Sequence, residues 1–196
     1  MFDQPYPVHD GTDAAWFVYL FALTDCSAFK VGFSTNPLQR IHTFSRRYFE
    51  RFDLHQSLLL RLDTCAAARA VEAQLKSELA SFRMAAPAWV PSSAGGHTEW
   101  FSAIYFTQAE TTLRAAVPET AQLLNAFEVL QAHLALLTAD FEVWAWRLAQ
   151  QVCDGHASQS ASANTLRDWL DTYRYFDIRL FTDDPAVHQF MRAIQG

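Results

Sequence analysis

The chain has 196 residues, 51% of them hydrophobic and 18% charged, with a formal net charge of -6, and its mean hydropathy is -0.05. It can bury a core, so disorder is excluded, and no apolar run approaches the roughly eighteen residues of a membrane-spanning helix. The opening MFDQPYPVHDGTD resembles neither a secretory signal nor a transit peptide, and the three scattered cysteines (Cys26, Cys65, Cys153) fit reduced thiols, so the expected location is cytoplasmic.

In chain order, WFVYLFAL (16–23) is an apolar run of strand length. TDCSA then turns the chain and FKVGF (29–33) returns it, giving a β-hairpin. Phe29, Val31 and Phe33 share one face of the second strand, Lys30 and Gly32 the other. Asn36 and Pro37 form an N-cap and first helical position. Leu38, Ile41, Ser45, Tyr48 and Phe52 then recur at helical spacing, which predicts one helix through this segment with Arg40, Arg47 and Arg51 on another face. A third strand is expected over 54–62 and a second helix over 66–83, with Val71, Leu75, Leu79 and Phe82 inward. Residues 85–98 read as a loop from their Pro, Gly and Ser, and EWFSAIYF (99–106) as a further strand. The predicted order is β-β-α-β-α-β, a mostly antiparallel sheet with flanking helices over residues 14–106.

Residues 107–196 change character. Leu123, Phe127, Leu130, Leu134, Leu137, Phe141, Trp144 and Leu148 form a heptad seam opened by Pro118. It predicts a long helix over about 119–153, buried in a bundle rather than in an isolated coiled coil. A linker (154–164) and two short helices follow. One carries Leu166, Trp169, Leu170 and Tyr173. The other starts at Pro185 and carries Val187, Phe190, Met191 and Ile194. The expected fold class is therefore α+β, a small mixed domain followed by an all-α domain. Charge divides along the same line. Residues 107–196 hold 6 Lys/Arg against 11 Asp/Glu, whereas Lys30 to Arg51 holds five basic residues against one acid, Glu50. A phosphate feels the local charge within a Debye length, not the average.

Tyr19, Lys30, Arg40 and Glu72 stand out together, one from each of the first two strands and the first two helices. At these positions the sequence resembles the GIY-YIG nuclease superfamily. Val18-Tyr19-Leu20 stands at its first motif, Lys30-Val31-Gly32 at its second, Arg40 at its helix arginine and Glu72 at its metal-binding glutamate. The run FKVGFSTNPLQRI, then Glu72, then GGHTEWF, resembles the phage-type DNA-binding branch, in which KIG replaces YIG and an E-W-F strand closes the domain. Phe17 replaces the glycine of the first motif and Lys30 the tyrosine of the second. The resemblance implies a DNA endonuclease that hydrolyses phosphodiester bonds with Mg²⁺ or Mn²⁺. Tyr19 would activate or position the water, Arg40 clamp the phosphate, Lys30 bind it as a point charge, and Glu72 hold the metal. Gly32 would allow close approach, and Ser34, His42, Arg46, Arg47 and Arg51 would contact DNA.

Each residue has a plainer reading when taken alone. Tyr19 could fill a core, Lys30 could be solvated, Arg40 could neutralise Asp25 or Glu50, and Glu72 could pair with Lys76 or Arg69. Two alternatives to the enzyme follow: a non-catalytic DNA-binding module of the same fold, or an interaction protein that forms a homodimer or docks a partner through its acidic helical half.

Overall fold

The computed structural model describes residues 15–117, 121–153 and 159–180. The N-terminal segment, Pro118 and the helix expected from Pro185 lie outside these. No helix among the described residues is long and apolar enough to cross a membrane. The described residues fall into two compact units, one ending at Leu130 and one beginning at Gln131.

The first unit is built on a six-stranded sheet of β1 (Trp16–Leu23), β2 (Ala28–Ser34), β3 (Phe52–Leu62), β4 (Arg83–Met84), β5 (Trp100–Ser102) and β6 (Gln122–Asn125), in the order β4-β5-β2-β1-β3-β6 with every neighbouring pair antiparallel. β1 (Trp16–Leu23) and β2 (Ala28–Ser34) form the expected hairpin. β3 (Phe52–Leu62) runs along the other side of β1. Its register jumps between Leu20 and Ala22 of β1, and Ser57 repairs the ladder. The Ser57 hydroxyl accepts from the Ala22 N–H at 3.0 Å and donates to the Asp53 carbonyl at 2.6 Å. The Ala22 N–H is therefore satisfied despite the bulge.

Alternation along β1 and β2 creates two different faces. Val18, Leu20, Ala22, Phe29 and Val31 pack with Leu60 and Leu62 against α3 (Cys65–Glu78) and α4 (Phe106–Ala115), which contribute Ala68, Leu75, Ala109 and Leu113. The opposite face carries Tyr19 and Phe21 with Phe44, Phe52 and Trp100. Phe52 stacks on Trp100 at 6.2 Å, while Phe44 meets Trp100 edge-on at 5.9 Å. α3 starts at an N-cap, where the Thr64 side chain accepts from the Ala67 N–H at 3.2 Å.

Four local expectations are corrected. The single helix after Pro37 is two: α1 (Pro37–Phe44) and one turn, α2 (Tyr48–Arg51). The Thr43 hydroxyl takes the Arg40 carbonyl at 2.7 Å, Ser45 is extended, and the chain leaves the helix there. Arg47 and Arg51 thereby leave the face that carries Arg40. The E-W-F segment is a strand only over β5 (Trp100–Ser102), pairing on its outer side with the two-residue β4 (Arg83–Met84), and Phe106 already opens α4. The long helix is broken twice. Leu123 and Leu124 belong to β6 (Gln122–Asn125), paired to Leu60 and Leu59, and the helical stretch divides into α5 (Ala126–Leu136) and α6 (Thr138–Cys153). Asn125 makes the first break: its side-chain amide donates to the His55 carbonyl and its oxygen accepts from the Glu128 N–H. Finally, residues 159–164 of the expected linker are helical, in α7 (Gln159–Tyr175).

The second unit is all helical. Leu134, Leu137, Phe141 and Leu148 of the seam are buried, together with Leu166, Trp169 and Tyr173 of α7. Phe141 and Tyr173 rings lie 4.6 Å apart, and the Gln131 amide donates to the Phe176 carbonyl at 2.7 Å. The seam is thus a bundle core, as its weakly charged flanks predict. Leu136 is left 83% exposed.

Candidate functional site

The site grows from the hairpin register. Tyr19 lies directly opposite Gly32, and a Cβ on Gly32 would collide with the Tyr19 hydroxyl. The glycine is what lets a buried tyrosine lie across its partner strand. The Tyr19 ring stacks on Phe21 at 4.4 Å. The Asn36 side chain caps α1 by accepting from the Gln39 N–H at 2.9 Å, and Pro37 starts the helix. That start fixes Arg40 one turn in.

Arg40 reaches back to the sheet. Its Nε donates to the Tyr19 hydroxyl at 3.2 Å, and Nη1 donates to the Ala94 carbonyl at 2.6 Å and to Thr43 Oγ1 at 3.3 Å. Its guanidinium carbon lies 4.5 Å from the Phe44 ring centre. Nη2 makes no hydrogen bond among the described residues, so one edge of the fork stays uncommitted.

Lys30 follows the same face of β2 and is 1% exposed. Its ammonium donates to the Val31 carbonyl at 2.5 Å and to Glu99 Oε2 at 3.1 Å. Two of its three N–H groups are used, leaving one. Burial pulls its pKa down to about 8, with Glu99 opposing, so it remains mainly charged at neutral pH. Burial likewise pushes the Tyr19 phenol above its usual range, with Arg40 opposing. Tyr19 therefore keeps its proton at neutral pH and can donate it.

The loop before β5 brings these groups to one point. Gly95 and Gly96 adopt φ of 66° and 67°, a region that favours glycine. A Cβ on Gly96 would lie 2.8 Å from Glu99 Oε2, 2.9 Å from Arg40 Nη2 and 3.1 Å from Lys30 Nζ. The uncommitted arginine edge, the lysine ammonium and the glutamate therefore surround one spot that only a residue without a side chain leaves open.

Glu72 arrives from α3, on the other side of the sheet, with its side chain 14% exposed. No hydrogen bond or ion pair joins it directly to Tyr19, Lys30 or Arg40. It is linked through Lys76, whose ammonium is 3.4 Å from Glu72 Oε2 and 3.5 Å from Glu99 Oε1. The Lys76 pair that the plainer reading expects is real, and it is one link of a chain running Glu72, Lys76, Glu99, Lys30. Glu72 is close enough for its charge to raise the pKa values of both Tyr19 and Lys30. Among the described residues no group of three or more His, Cys, Asp or Glu side chains could hold a metal. A zinc-type cage is thus not formed there. A lone carboxylate suits Mg²⁺, which retains most of its waters, and the Lys76 contact is long and partly exposed, hence weak and displaceable.

The remaining sequence-predicted residues spread outward. Ser34 Oγ accepts from the Asn36 N–H at 3.0 Å and shapes the turn into α1. His42 is half-buried beside Tyr48, ring centres 6.2 Å apart. Burial, then the Arg46 charge, pulls its pKa down to about 4, so it is neutral where DNA would be bound. Arg46 is exposed. Arg47 pairs with Glu50 at 2.7 Å, and Arg51 lies over the Trp89 ring at 5.5 Å. Sequence reading missed the parts played here by Glu99, the Ala94 carbonyl and Gly96, and the second contact of Lys76, to Glu99. The Gly-Gly pair just ahead of Glu99 was the available signal.

No curated protein and no solved structure matches the chain significantly. The family model of the T5orf172 domain matches residues 17–117, a span that contains Tyr19, Lys30, Arg40, Glu72, Gly96 and Glu99. The chain accordingly belongs to the T5orf172 domain family.

Proposed function

We propose that this protein binds DNA and hydrolyses its phosphodiester bonds with Mg²⁺ or Mn²⁺, as a GIY-YIG-type endonuclease. The observation that carries the reading is the meeting of Arg40 Nη2 and Lys30 Nζ at Gly96, beside the Tyr19 hydroxyl that Arg40 Nε holds. Family membership supports a nuclease-like or DNA-binding role.

In this mechanism Arg40 presents Nη2 to a phosphate oxygen while Nε stays on Tyr19, so binding the anion and orienting the phenol are one act. Lys30 offers its remaining N–H to the same anion. Both cations rest near the Phe44 ring, and Lys30 is buried away from bulk water, where charge stabilisation is stronger than at the surface. Tyr19 enters protonated, so it orients the attacking water and passes protons through its hydroxyl rather than starting as a phenolate. Glu72 would hold the divalent cation, which would supply charge neutralisation at the scissile phosphate. Purified protein is expected to nick supercoiled plasmid with Mg²⁺. Arg40→Ala and Glu72→Gln are each expected to abolish nicking, and Tyr19→Phe to slow it by about 10²- to 10⁴-fold. Nicking that survives in both Arg40→Ala and Glu72→Gln removes these residues from the reaction.

A second reading is DNA binding without cleavage. It is favoured by Lys30, which stands where the superfamily places a tyrosine and whose ammonium is enclosed by Val31 and Glu99. In that case binding persists in EDTA, falls steeply with salt, and no metal produces nicks.

A further inference from the structure

We propose that Glu99 is the positioning residue of this site, holding the Lys30 ammonium at the phosphate seat with one carboxylate oxygen and holding Lys76 beside Glu72 with the other. The proposal rests on the phosphodiester reading above.

Geometry singles out Glu99. It is 69 residues from Lys30 in sequence, yet β2 and β5 pair Lys30 with Trp100, and the Val31 N–H donates to the Glu99 carbonyl at 3.0 Å. The backbone bond fixes where the carboxylate starts. Its two oxygens then serve different partners, Oε2 with Lys30 at 3.1 Å and Oε1 with Lys76 at 3.5 Å. Thr98 also donates to Oε1, at 3.4 Å. Glu99 is 19% exposed against 1% for Lys30, so it stands between the buried ammonium and solvent.

The charges fit a positioning role. A lysine so deeply enclosed cannot stay charged without a partner. The charged or titratable groups facing it are Glu99, Arg40 and Glu72, with the Tyr19 phenol nearby and Lys76 acting through Glu99. Arg40 opposes the ammonium, Glu72 favours it from further off, and only Glu99 touches it. Burial pushes the Glu99 carboxyl up, but Lys30 and Lys76 together hold it below the usual range, so it stays a carboxylate. Glu99 also meets the spot that Gly96 leaves open. It therefore keeps Arg40 and Lys30 from repelling each other apart until a phosphate takes up the same charges.

The test is the titration of Lys30 in the full chain, read from the NMR shift of its ε-carbon in ¹³C-lysine-labelled protein and assigned by its loss in Lys30→Met. The expected order of midpoints is wild type, then Glu99→Asp, then Glu99→Gln, with the Gln variant at least one pH unit below wild type. DNA affinity by fluorescence anisotropy in EDTA should lose its alkaline limb at correspondingly lower pH, while Glu99→Asp restores much of the wild-type profile. A Gln-variant midpoint equal to wild type in protein whose circular dichroism is native overturns the proposal. If Glu99→Gln does not fold, Glu99→Asp decides: a lowered midpoint supports the role and an unchanged one removes it. Failure of the wild type to bind or nick DNA is a separate result, which sinks the phosphodiester reading and with it the phosphate seat, whatever the Lys30 titration shows.

Discussion

Gly32 and Tyr19 set the chemistry at the scale of single residues. Because the hydroxyl occupies the room a Cβ would need, Gly32→Ala is expected to displace Tyr19 rather than merely crowd it. Plasmid nicking should then fall as far as in Tyr19→Phe, with stability lowered by about 1–3 kcal/mol in a denaturant melt. Lys30 sets the pH response. With its pKa brought down to about 8, chiefly by burial, its charge is present at pH 7 and lost on passing through pH 8. DNA affinity measured in EDTA should hold to about pH 7 and fall above pH 8, and Lys30→Met should erase that fall. The sign for folding is opposite. The unfolded lysine keeps its proton up to its ordinary value of 10.5, so between these limits the unfolded chain binds more protons and this group's contribution to stability rises with pH. The positions of Tyr19, Lys30, Gly32 and Arg40 were legible in the sequence because hairpin alternation and a capped helix start fix them locally. Glu99 was not, since its role depends on pairing between strands 69 residues apart.

Elements are where periodicity both succeeded and misled. The hairpin, its inward face and the Asn36-Pro37 helix start follow from local rules, and all three are found. The break after Phe44 could not be read from periodicity, because Tyr48 and Phe52 continue the helical spacing while belonging to a single turn and a strand. What ends α1 is a side-chain competition at Thr43 and an extended Ser45. β6 was hidden for a similar reason: Leu123 keeps heptad spacing with Phe127, yet the open edge of β3 captures it by main-chain bonds, which hydrophobic periodicity does not register. The cap that starts α1 is also the device that aims Arg40. Asn36→Ala should lower stability by about 1 kcal/mol, as for other N-caps. Nicking should fall by more than that loss of folded protein explains, because the first turn sets the arginine's reach; comparing rates on fully folded samples checks this.

At the scale of the whole molecule, the site lies entirely within the unit ending at Leu130, and the acidic surplus lies downstream of its last side chain, with 6 basic against 11 acidic residues over 107–196. An acidic segment gains nothing from lying along a phosphate backbone. The helical unit has its own core, and the heptad seam supplies it. Phe141→Ala, in the seam, should therefore cost about 3–5 kcal/mol, whereas Val143→Glu, exposed and outside the seam, should stay within about 0.5 kcal/mol. Thermal melts of the two variants distinguish a seam that builds a core from one that waits for a partner.

Arg40 is anchored to the Ala94 main-chain oxygen, not to a side chain. Any amino acid at position 94 presents the same oxygen, so that contact is indifferent to spelling and sensitive to length. Over generations the segment between Trp89 and Glu99 is free to drift in composition outside its two left-handed glycines and the buried Val90 and Ala94, while a single insertion or deletion there would slide the anchor past the guanidinium. Indels in this stretch should thus mark lineages in which the site has fallen out of use.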